Sequence, residues 1–277
     1  MPLVAARYEP HSASMPSGHY MERVDSGRRL LEAGNAAEAE RLFKLALREE
    51  PANPSNALVL ANLSEAQRLC GKAEEAVESC EIGLVRFPAS TTLRMNRAKA
   101  LLESGRPAEA VADLDYLQEN LPDSSAMRLS ATTMRMALRM RAGEWKEAVP
   151  LARFVVGRSS EDAQAWFNLA VCLASASVES PELESEAAAA YRRSLELEEQ
   201  ADTYAYYITF LQNRREDASE EIRKAIAAYP DDWRFYVCRA VERRARYDYE
   251  SAEKDLSSAI SRGADPELIK TLFQKKR

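Results

Sequence analysis

Two histidines in 277 residues, His11 and His19, leave this chain poor in the commonest catalytic and metal-binding side chain. Neither has a cysteine partner nearby or a second histidine at the helical i, i+4 spacing, so a hydrolytic triad or a zinc site has nothing to build on. No catalytic residue, metal or cofactor is expected. Four cysteines, Cys70, Cys80, Cys172 and Cys238, show no paired spacing and suit core positions in a reducing compartment. The nine glycines stand singly or act as helix stops, which removes the glycine-rich cradle of a phosphate site. No apolar run reaches the ~18 residues of a membrane span. Residues 1–18, with Pro2, Pro10, Pro16 and several serines, lack the charged start and apolar stretch of a secretory signal. They read as a flexible tail, and the chain as cytoplasmic.

What the sequence does contain is recurrence. Gly34, Gly71 and Gly105 are each followed five residues on by an alanine, Ala39, Ala76 and Ala110, and seventeen on by a proline, Pro51, Pro88 and Pro122. Gly143 keeps Ala148 and places Ser160 where the proline would stand. A spacing near 34 residues is that of stacked helical hairpins. In each unit the glycine stops one helix by entering the left-handed region, a second helix begins at once, and the proline ends it. Small residues seven before the glycine, Gly27, Ser64 and Ala98, mark where backbones approach. A lone hairpin buries too little to be stable, so the units must stack.

Gly71, Ala76 and Pro88, the small Ser64, the Gly-x-x-Glu-Glu-Ala style of turn, and an aromatic four residues after an alanine at Phe43 and Tyr191 together resemble the tetratricopeptide repeat. The likeness covers roughly residues 20–265 and is most specific in the first three units. It implies an all-α, right-handed solenoid of about seven antiparallel hairpins, approximately 20–53, 57–90, 91–124, 125–160, 163–200, 201–232 and 233–265. A short capping helix over 266–277 would close the stack, with Asp265 and Pro266 at its start. Arg94 and Arg97 depart from the pattern, occupying places where the family usually has large apolar residues. The sixth unit loses its glycine, and a longer loop around 175–186 carries glutamates read as a solvated turn.

By that resemblance the first helix of each unit lines a concave face. Lysine plus arginine minus aspartate plus glutamate totals +11 over the seven expected first helices and −13 over the second helices. A curved wall of one sign concentrates ligands of the other, so an acidic partner is expected. Pairing of Arg94, Arg97, Arg135 and Arg139 with acids on neighbouring helices is the competing account. Asn62, Asn96 and Asn168 share the sixth place of their helices, and in peptide-binding members of the family asparagine there hydrogen-bonds the backbone of an extended peptide. Hydrogen bonding within the stack is the alternative. The family's carboxylate clamp is a poor match, since Val24, Arg28, Thr92 and Asn96 stand where it needs other residues and only Asn62 agrees.

The expected function is a non-catalytic scaffold or adaptor holding an extended, acidic protein segment. Asn62, Asn96 and Asn168 would meet its backbone, Arg28, Arg68, Lys99 and Arg141 its charges, and Met95, Gln164 and Phe167 would complete the groove. A structural subunit using its edges or convex face is one alternative. Single-stranded nucleic-acid binding through the basic and aromatic run from Trp233 to Arg246 is another, disfavoured by the net charge of −6.

Overall fold

A computed structural model describes residues 18–274; residues 1–17 of the expected N-terminal tail, with His11, and the last three basic residues lie outside them, while Gly18 opens the first helix. Among the described residues there are no strands. The helices are α1 (Gly18–Glu32), α2 (Ala36–Glu49), α3 (Asn56–Leu69), α4 (Ala73–Arg86), α5 (Thr91–Glu103), α6 (Pro107–Asn120), α7 (Ala126–Ala142) and α8 (Trp145–Arg158). They continue as α9 (Ala163–Ala176), α10 (Glu184–Leu197), α11 (Ala201–Asn213), α12 (Ser219–Ala228), α13 (Trp233–Ala245), α14 (Tyr249–Ser261) and α15 (Pro266–Gln274). Consecutive helices form hairpins, so the expectation of an all-α hairpin array holds.

Backbone contacts divide the chain into two compact units, one ending at Met134 and the other starting at Arg135. In the first, α1 packs on α2, α3 on α4 and α5 on α6, while α3 and α5 are also direct neighbours. In the second, α9 packs on α10 and α13 on α14, with α11 neighbouring both α9 and α13.

The hairpin turn has one repeated geometry. Gly71 takes φ +75°. Its N–H donates to the Arg68 carbonyl and the Lys72 N–H to that of Gln67, each at 2.9 Å, which satisfies carbonyls that the end of α3 would otherwise orphan. Gly34, Gly105 and Gly143 repeat the pattern. In the sixth and seventh hairpins Arg215 (φ 59°) and Tyr247 (φ 63°) adopt the same left-handed conformation with the same pair of hydrogen bonds. The turn thus survives the loss of its glycine.

Tyr20, Phe43, Leu60, Cys80 and Leu93 anchor the core of the first unit. Gly27 is small because the Phe43 ring lies against it: a Cβ there would come within 2.7 Å of Cε1. The C-terminal helix α15 starts as expected, with Asp265 Oδ1 accepting from the Glu267 N–H at 2.9 Å. It inserts Ile269 into a cluster with Tyr236 and Leu256. Ser55, the residue before α3, makes no side-chain cap bond. Asn53 accepts from the Ser55 N–H instead, at 2.8 Å.

The glutamates of the 175–186 loop stand at the surface, Glu179 with 74% of its side chain exposed. The loop contains a short 3-10 segment, Pro181–Leu183. Glu179 pairs with Lys146, Glu184 with Arg214 and Glu186 with Arg153.

Candidate functional site

On each first helix, positions four, three and four apart fall on one accessible stripe. On α3 these are Leu58, Asn62, Glu65 and Leu69; on α5, Thr92, Asn96, Lys99 and Glu103; on α1, Met21, Asp25, Arg28 and Glu32. All twelve are at least partly exposed. Met95, assigned to this face from the sequence, is instead buried, with 4% exposure.

The three asparagines turn out to be inequivalent. The Asn96 amide nitrogen donates to the Ala61 carbonyl at 2.8 Å and to Ser64 Oγ at 3.2 Å, tying α5 to α3. Asn168 Oδ1 accepts from Gln164 Nε2 at 3.0 Å along the exposed side of α9. Asn62 is half-buried and its amide has no hydrogen-bond partner among the described residues. One amide is spent on the stack, one is half-used and one is open.

Charge follows a similar division. Arg68 bridges Glu65 at 2.7 Å and Glu103 at 2.5 Å, and its hydrogen bond holds the Glu65 carboxyl below the usual range. Arg28 pairs with Glu32 on its own helix. The two departures from the repeat pattern share one partner: Arg94 and Arg97 both bind Asp113 of α6, which is fully buried. Arg239 and Arg243 of α13 hold buried Asp255 of α14 in the same way. Arg139 pairs with Glu144. The positive sum over the first helices is therefore largely consumed by ion pairs within the array. Of the basic residues assigned to the site, Lys99 and Arg141 have no ion pair among the described residues, and they belong to different units.

In the second unit aromatic rings join polar Gln164 and Asn168 on the accessible side. Phe167 of α9 meets Tyr206 of α11 edge-on at 5.3 Å and Tyr191 of α10 at 6.5 Å. Tyr206, 54% exposed, sits nine residues before left-handed Arg215, as Asn62 and Asn96 sit nine before Gly71 and Gly105. The sequence reading missed it because arginine does not advertise a left-handed turn.

The basic and aromatic run of α13 is turned to internal use. Phe235 and Tyr236 are buried, Arg234 pairs with Asp202 and Asp232, and Arg246 pairs with Asp217 and Glu242. Arg244 lies over the Phe273 ring. These two rings cannot serve as a base-stacking platform.

Among the described residues, no cluster of three or more His, Cys, Asp or Glu could hold a metal ion, and no helix is long and apolar enough to cross a membrane. Burial pushes the Cys80 thiol up to about 11 and the Cys172 thiol to about 12, so both stay protonated near neutrality.

Stacked hairpins whose accessible stripes carry amides, aromatics and charges define a helical-repeat protein. The tetratricopeptide repeat model matches residues 24–91, 70–125 and 137–205, and the chain belongs to that family. A tetratricopeptide repeat protein from Parabacteroides merdae is similar in structure, at 24% identity and TM-score 0.60, covering 92% of this chain and 98% of its own. The C-terminal part of a repeat protein from Cytophaga hutchinsonii aligns at 13% identity and TM-score 0.69, covering 90% and 99%. YrrB, described as a repeat protein with an unusual peptide-binding site, aligns at 18% identity and TM-score 0.59, covering 70% and 95%. No curated protein sequence gave a significant match.

Proposed function

We propose that the chain is a non-catalytic scaffold that binds an extended segment of another protein along its first-helix stripes. The observation that carries this reading is Asn62. An amide on an accessible stripe, without a partner in its own fold, offers a donor and an acceptor that match a peptide bond whatever its side chain. Leu58 and Leu69 flank it on α3, exposed at 57% and 53%, and Lys99 stands on the neighbouring helix. Membership of a family of protein-interaction repeats supports the reading, as does the peptide-binding site named for YrrB.

The acidic character expected of the ligand narrows with the ion pairs. In the first unit it rests on Lys99, since Arg28 and Arg68 are already answered by carboxylates. In the second unit it rests on Arg141, beside the uncharged Gln164, Phe167, Asn168 and Tyr206. Binding is tested by capturing partners from the source lysate, with nuclease present, on wild type and on Asn62→Ala/Lys99→Glu. Asn96 is left intact because its amide holds α5 to α3. Selective loss of a captured protein, with thermal unfolding unchanged, supports the stripe; identical partners on both chains would refute it.

A further inference from the structure

The first-unit stripe carries two charges that the fold leaves unanswered. Of its twelve positions on α1, α3 and α5, six are charged. Glu65 and Glu103 meet Arg68, and Arg28 meets Glu32. Asp25 of α1 and Lys99 of α5 have no ion pair among the described residues. Their two helices are both neighbours of α3, which carries the open amide of Asn62. Met21, Leu58 and Leu69 add exposed apolar surface on the same stripe. A segment complementary to it has one base, one acid and apolar side chains.

The chain itself contains such a segment. Residues 3–9 read Leu-Val-Ala-Ala-Arg-Tyr-Glu, and Arg7 and Glu9 are the only lysine, arginine, aspartate or glutamate among the first seventeen residues. The point at which this stretch joins the array is fixed. Tyr20, 0% exposed, donates through its hydroxyl to Asn56 Oδ1 at 2.9 Å, holding the first turn of α1 against the first turn of α3. The chain before Gly18 therefore enters the array close to Leu58, and Asn62 lies four residues, about 6 Å, further along α3. The eight residues from Pro10 to Ser17 can span up to about 28 Å, so length does not keep residues 3–9 from the stripe.

We infer that residues 3–9 occupy the first-unit stripe of their own chain and compete there with the partner segment. Arg7 meets Asp25, Glu9 meets Lys99, the apolar side chains cover Leu58 and Leu69, and a peptide group of the segment takes the Asn62 amide. This occupation presupposes the peptide-binding stripe proposed above. The tether makes the contact intramolecular, at a local concentration of about 1 mM, whereas a partner must arrive from solution. A partner then binds only as the chain's own segment is released.

A fluorescein-labelled synthetic peptide of residues 1–17 tests it by anisotropy. The peptide is titrated with the full chain, as wild type and as Arg7→Glu/Glu9→Lys, whose own segment no longer matches the stripe. For an intrinsic Kd of about 100 µM, a tethered competitor at about 1 mM raises the apparent Kd about tenfold. The charge-swapped chain should therefore bind the peptide about tenfold more tightly than wild type. Adding Asn62→Ala/Lys99→Glu to the swapped chain should weaken binding by about tenfold, with thermal unfolding unchanged. Equal affinity of wild-type and swapped chains, no binding to either, or indifference to Asn62→Ala/Lys99→Glu would overturn the proposal. So would a dimer in sedimentation that the charge swap dissolves, since the segment would then come from a second copy. Lysate capture separates the two readings: a partner still lost with Asn62→Ala/Lys99→Glu, together with no peptide binding, keeps the stripe as a peptide site and removes only its occupation by residues 3–9.

Discussion

Replacing Asp113 with alanine removes one carboxylate and strands two guanidiniums. Asp113 is 0% exposed and receives three hydrogen bonds: from Arg94 Nη1 at 3.1 Å, and from Arg97 Nε and Nη2 at 2.7 and 2.8 Å. Removing one partner of a fully buried pair costs about 3–5 kcal/mol. Two features reduce that here. The arginine side chains keep 20% and 23% exposure, and Arg94 also holds the Pro88 carbonyl at 2.8 Å and the face of Tyr116 at 3.8 Å. The expected loss is about 2–3 kcal/mol. With a urea dependence of about 1–3 kcal/mol per molar, the midpoint followed by circular dichroism should fall by roughly 0.7–3 M. Replacing Arg94, Arg97 and Asp113 together with leucine restores the family's apolar places and should regain most of the loss, because well-packed apolar groups compete well with buried ion pairs. An Asp113→Ala loss below about 0.5 kcal/mol would refute the reasoning, for it would mean the buried carboxylate is easily dispensed with.

Tyr247→Gly should raise stability by about 0.5–1 kcal/mol in thermal unfolding, since the left-handed strain it relieves exceeds the glycine's added unfolded-state entropy. Gly71→Ala, at φ +75°, should lower it by about 1–2 kcal/mol. Gly27→Val should cost about 1–3 kcal/mol by the same measurement, because the first added carbon meets the Phe43 ring at 2.7 Å. Burial pushes the Glu40 carboxyl up, but hydrogen bonds from Lys44 and Lys72 outweigh it and hold it below the ordinary range. Its stabilisation is therefore present above the unfolded carboxylate value of about 4.3 and is lost as pH falls toward the folded value, so Glu40→Gln should flatten the acid limb of stability against pH.

The repeats were legible where residue type dictates backbone geometry. Gly34, Gly71, Gly105 and Gly143 announce their turns; Arg215 and Tyr247 adopt the same φ region for reasons of chain connection that residue type does not display. Pairing was less legible. A sum of charges over a helix counts Arg97 as available, whereas its partner Asp113 lies sixteen residues away on the face that the hairpin brings opposite. Asn96 likewise spends its amide on a carbonyl 35 residues earlier, which no local spacing reveals. Met95 shows the limit of phase: its helix has weak amphipathic contrast, and one position of rotation moves a side chain from stripe to core.

The two buried aspartates also bear on how an array of similar hairpins finds its own register. Repeats that look alike can pair out of turn during folding, and apolar faces tolerate a slip of one helical turn. Asp113 and Asp255 do not, because each would then lie in hydrocarbon without its arginines. A hairpin docked out of register at the third or seventh position would bury its aspartate without those partners, at a cost of about 3–5 kcal/mol. The all-leucine variant at 94, 97 and 113 would lose that discrimination even as it kept its stability, and heterogeneous refolding kinetics would be the sign.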